Sequence, residues 1–97
     1  MWKLVLIAYN VSIHEEVMDS LNEIGLKNYT RWDRVLGRGE GSGPHLDTHI
    51  WPGYNSVMAM AVEEERLKEL MEKIIFLKQR FSREGIKAFV LPIEHMV

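Results

Sequence analysis

Apolar positions fall into two kinds of run along this chain, continuous and helical, and their order predicts the fold. Trp2 to Tyr9 is apolar without interruption from Leu4 to Ala8, which predicts a strand buried on both faces. Ser12 then opens a helical pattern. Ile13, Val17, Leu21 and Ile24 recur at helical spacing and form one stripe. Ser12 and Glu15 have the spacing of a capping box, in which each side chain satisfies a free backbone N–H of the first turn. Gly25 stands where a left-handed C-terminal cap is expected.

Asn28 to Leu36 predicts a second strand. Tyr29, Thr30, Trp32 and Val35 alternate there with Arg31, Asp33 and Arg34, and such mixed faces suit an edge. From Gly37 to about Asn55 nothing is periodic, and long loops in compact domains are usually functional. Ser56 to Val62 predicts a third strand, apolar on both faces. Glu63, Glu64 and Glu65 open a second helix with the charge its N-terminus favours. Leu67, Leu70, Met71, Ile74, Leu77 and Phe81 are its inner stripe, and Gly85 ends it. Ile86 to Ile93 predicts a fourth strand, with Pro92 suited to a strand end or an edge.

The order β-α-β-β-α-β predicts an α+β, ferredoxin-like fold: a four-stranded antiparallel sheet with two helices on one face. The layout has a consequence. Three strands are apolar on both faces, yet two helices cover only one. The other would expose several hundred Å² of apolar surface, which soluble monomers avoid. A homo-oligomer that buries this face is expected.

Composition narrows the function. With 97 residues, one domain spanning 1–97 is expected, with no separate catalytic domain. Net charge is −2, so no long-range basic field draws the chain to nucleic acid, although Arg31, Arg34 and Arg38 could form a local patch. There is no cysteine, which removes disulfides, thiolate zinc sites and a cysteine nucleophile. The apolar run after Lys3 is far short of the roughly 20 residues a membrane span needs. No direct membrane insertion and a cytoplasmic location are expected. No activated nucleophile is visible, and the expected role is not enzymatic.

The glycine-rich stretch carries the candidate chemistry. One reading is anion binding: Gly37, Gly39, Gly41 and Gly43 alternate along it, so that successive N–H groups can converge on a phosphate, with Arg34 and Arg38 adding forked donors. No Lys-Ser/Thr pair or helix start follows, so this is not a P-loop. The plain alternative is a flexible connection. The second reading is metal binding. His45, Asp47 and His49 point the same way in an extended segment, and two imidazoles with a carboxylate suit a divalent metal. The plain alternative is a set of solvated loop residues. His14 and His95 are isolated and read as surface residues. Trp32 and Trp51 read as packing at the core or a subunit contact rather than as base-stacking platforms.

The strand order, with a long loop opening on Val35-x-Gly37-x-Gly39 and then Gly43, resembles the P-II signalling family. The residue-level match is confined to this stretch, and Gly37, Gly39 and Gly43 are the positions it carries over. Gly41-Ser42 stands where that family has Gln-Lys. Its lysine-bearing phosphate loop before the last strand is replaced by Gly85 alone. The resemblance implies a homotrimer with a mobile T-loop, here at about 37–55. It further implies an adenine nucleotide bound between subunits near the glycines, and loop docking on a transporter or enzyme. The related CutA family shares the fold and implies the alternative, a divalent metal at His45, Asp47 and His49.

Overall fold

The computed structural model describes residues 1–38 and 54–97. Strand β1 spans Trp2–Asn10, helix α1 His14–Glu23 and strand β2 Thr30–Leu36. Strand β3 spans Tyr54–Glu63, helix α2 Leu67–Arg80 and strand β4 Ile86–Pro92. The four strands form one antiparallel sheet in the order β2-β3-β1-β4, as the ferredoxin-like pattern requires.

Side chains alternate along each strand, so each register decides which residues share a face. Val5, Ile7 and Tyr9 of β1 lie beside Met60, Met58 and Ser56 of β3 and Val90, Ala88 and Ile86 of β4. This face carries the core. Val17 and Leu21 from α1 and Leu70, Ile74 and Leu77 from α2 close over it. Both predicted stripes are therefore the buried stripes, with Leu67, Met71, Phe81 and Ile24 packed at their margins. The opposite face carries Leu4, Leu6, Ala8, Val57, Ala59, Trp32, Phe89 and Leu91. Trp32, Phe89 and Leu91 are exposed there.

The helices are joined to each other and to the sheet by polar contacts. Arg66 donates to the carbonyl of Ile24, one of the orphan acceptors at the end of α1, and holds Glu69 in an ion pair at 2.6 Å. Lys73 pairs with Glu23 across the two helices. Lys78 donates to the Ile86 carbonyl at 2.9 Å and ties the end of α2 to the start of β4.

Three local features differ from the sequence reading. The Ser12–Glu15 capping box does not form. Asn10 is the cap instead: its Oδ1 accepts from the Ser12 N–H at 2.9 Å and opens a 3-10 turn over Val11–Ile13. The chain leaves β1 one residue later than expected, and this puts an asparagine rather than Ser12 at the turn. Likewise Glu64–Arg66 form a 3-10 turn, so α2 proper begins at Leu67. Strand β2 begins only at Thr30. By contrast Gly25 and Gly85, at φ +72° and +90°, occupy the left-handed positions expected of helix-terminating glycines.

The core predicts its own sensitivity. Leu70 is wholly buried, and Leu70→Ala is expected to cost about 2–5 kcal/mol, read as a lower urea midpoint at fixed protein concentration. Gly85→Ala has space for its methyl group but not the backbone conformation, and a loss of about 1–2 kcal/mol is expected.

Candidate functional site

The ends of β2 and β3 form the root of the glycine-rich connection. Leu36 and Tyr54 are the last pair of the ladder. Arg34 lies over the Tyr54 ring at 5.2 Å from its centroid, a cation–π contact that ties the two strand ends together. Gly37 follows, and its backbone differs from the left-handed conformation expected of it. It is not among the glycines with positive φ; instead, a Cβ at this position would collide with the Asn55 side-chain amide. The Asn55 amide is the end of a flexible side chain, so a larger residue at this position would displace it. Arg38 is exposed just beyond it. Gly39, Gly41, Gly43, His45, Asp47 and His49, together with Trp51, lie outside the described residues, and so does the expectation of a metal site. Among the described residues no group of three or more His, Asp or Glu is placed to hold a metal ion.

Immediately inside this root the β2–β3 register shifts. Trp32 pairs with Val57, but Val35 pairs with Asn55, so Asp33 and Arg34 together face the single residue Ser56. This is a β-bulge, a device that bends a strand and re-aims the side chains beyond it. It transfers Val35 to the face shared with Asn55. A bulge leaves a backbone group without its ladder partner, and a side chain supplies one here. Ser56, fully buried, donates its hydroxyl to the Asp33 carbonyl at 2.6 Å.

A polar network extends from this point into the helix side of the sheet. Arg31 Nη2 donates to the Asp33 carboxylate at 2.6 Å and to Ser56 Oγ at 3.3 Å. Its Nε is buried without an aligned partner. Tyr9, only 1% exposed, places its hydroxyl 2.7 Å from His14 Nδ1, with the two rings nearly parallel. Burial pushes the Tyr9 phenol up, and the nearby Arg31 and Ser56 partly oppose it. Burial also pushes the His14 imidazole down, and the Arg31 cation adds to this, against weaker pulls from Asp33 and Glu15.

The sequence reading missed this network. It placed His14 at the surface, whereas His14 is half-buried and bonded to Tyr9. A signal was available. In the inward register of β3 the residues are Ser56, Met58, Met60 and Val62, and a lone serine among them demands a partner. Arg31 has the same inward register on β2, opposite Met58.

Comparison with known proteins bears on this architecture. The solved structure of CPII from Thiomonas intermedia K12, a nitrogen regulatory PII-like protein bound to ADP, AMP and bicarbonate, superposes with a TM-score of 0.70. It is 23% identical, over 95% of this chain and 89% of that one. CPII bound to ADP, AMP and acetate gives 0.66 at 24% identity, over 93% and 83% of the two chains. PII from Arabidopsis thaliana bound to citrate gives 0.68 at 20% identity, over 95% and 77%. No match was found among curated protein sequences. The family model for nitrogen regulatory protein P-II matches residues 2–97, and with this span matched the chain belongs to the P-II family.

Proposed function

We propose that this chain is a regulatory binding protein of P-II type. It takes up a small ligand beside its glycine-rich connection and signals by docking that loop on a partner such as a transporter or enzyme. It acts by binding rather than by catalysis. The observation that carries the reading is the bonded root of the glycine-rich connection. A bulge, a serine pin and an Arg34–Tyr54 contact hold the two strand ends from which the glycines depart. Gly37, Arg38, Gly39, Gly41 and Gly43 are the residues assigned to the ligand. An adenine nucleotide together with a small carboxylate or bicarbonate is the ligand class, by likeness to relatives bound to ADP, AMP, bicarbonate and citrate.

The same reading includes self-association, as a homotrimer of one 97-residue domain per subunit. Trp32 and Phe89, each 51% exposed, stand with Leu91 on the sheet face that no helix covers. An apolar face of this kind is expected to be buried between copies of the chain. None of the described helices is long and apolar enough to cross a membrane.

Two measurements test the proposal. Calorimetric titration is expected to detect ADP or AMP, with affinity changed by bicarbonate. Arg38→Ala is expected to weaken nucleotide binding about tenfold, the worth of one charge-assisted hydrogen bond. Silence toward every nucleotide and anion would overturn the ligand reading. Zinc binding that His45→Ala with His49→Ala removes would favour the metal alternative instead. Sedimentation at micromolar concentration is expected to show an oligomer, and Trp32→Glu with Phe89→Glu to give monomers. A wild-type monomer sinks the self-association.

A further inference from the structure

The Tyr9–His14 pair belongs to neither the ligand residues nor the uncovered face, and the protonation of His14 sets the direction of its hydrogen bond. Ser56 spends its only proton on the Asp33 carbonyl, so its oxygen accepts from Arg31. Arg31 can only donate. The Tyr9 oxygen lies near both Arg31 and Ser56, and the bond it makes with good geometry is to His14 Nδ1. With the imidazole neutral and its hydrogen on Nε2, Nδ1 accepts the Tyr9 proton.

From this geometry we infer that Tyr9, His14, Arg31 and Ser56 form a proton-sensitive clasp on the β2 bulge, closed when His14 is neutral and opened when it is protonated. The clasp joins four elements: β1 through Tyr9, the start of α1 through His14, β2 through Arg31 and the Asp33 carbonyl, and β3 through Ser56. Protonation reverses the first bond. Nδ1–H then donates to the Tyr9 oxygen. The Tyr9 proton must then find another acceptor, and the one at hand is Ser56 Oγ, the oxygen that already accepts from Arg31. A second cation also stands near the guanidinium. Both changes weaken the hold on the bulge, and the bulge lies within three residues of the last β2–β3 pair.

The groups that act on His14 are Tyr9 from β1, Arg31 and Asp33 from β2, and Glu15 from its own helix. Burial and Arg31 hold its pKa below the ordinary 6.5, so it stays neutral until the pH falls below that value. The sign for stability follows. Between the folded and unfolded midpoints the unfolded chain binds more protons. The contribution of His14 is therefore complete above about pH 6.5. It falls as the pH drops from there toward the folded midpoint, and is constant below it.

The test needs no ligand and stands apart from the ligand reading. The full chain is titrated between neutral and mildly acidic pH. Imidazole NMR signals locate the His14 midpoint, and amide exchange at Val35, Leu36 and Asn55, corrected for intrinsic pH dependence, reports the bulge. Expected is a midpoint below 6.5 and a loss of protection of about fivefold across it, the scale of one neutral hydrogen bond. Tyr9→Phe keeps the ring and removes the hydroxyl, so the step should vanish. Arg31→Gln should move the midpoint upward. Should Tyr9→Phe fail to fold, His14→Phe serves in its place with the same expectation. The inference is overturned by protection that stays level while His14 titrates, by a step that survives the Tyr9 or His14 substitution, or by an imidazole that remains neutral until the chain unfolds.

Discussion

Two helices can cover one face of a four-stranded sheet, and the remaining structure of this chain answers to that limit. The covered face is filled by alternate residues of β1 and β3 under the stripes of α1 and α2. The positions between them are also apolar, but they meet no helix. Burial of apolar area is non-directional and roughly proportional to the area removed from water. A chain that presents apolar residues on both faces therefore leaves part of that stabilisation unrealised as a single copy.

The core stops where the connection between β2 and β3 begins. Toward that end the inward residues change from Val62, Met60 and Met58 to Ser56. A buried hydroxyl costs free energy unless it is bonded, and the bulge supplies the acceptor. The two features need each other: the bulge leaves the Asp33 carbonyl without its ladder partner, and Ser56 needs somewhere to send its proton. Arg31, Tyr9 and His14 extend the same bookkeeping to the first turn of α1, so this end of the molecule is held by directional bonds. Directional bonds respond to protonation and to nearby charge far more sharply than apolar contacts do.

Much of the fold was legible along the chain because hydrophobic period is local. The stripe Ile13-Val17-Leu21 needs only its own helix to be recognised, and the runs Leu4–Ala8 and Val57–Val62 only their own strands. The errors lie where a neighbour decides. Ser12 and Glu15 fit a capping box by spacing, but the turn out of β1 gave the cap to Asn10. Gly37 fits a left-handed turn by type, but it does not take a positive φ, and the Asn55 amide lies against it. His14 looked solvated by its place in a first turn, but Tyr9 reaches it from a different element.

The sequence by itself determined the element order, both helix stripes, the two left-handed glycines and the excess of apolar strand positions, because each depends on the period or residue type of one segment. Only the tertiary structure decided the β2–β3 register, the bulge opposite Ser56 and the clasp from Arg31 to His14. Those depend on which strand lies beside which and in what alignment. Pairing energy is nearly indifferent to a one-residue shift until side chains such as Ser56 and Arg31 find, or fail to find, their partners across it.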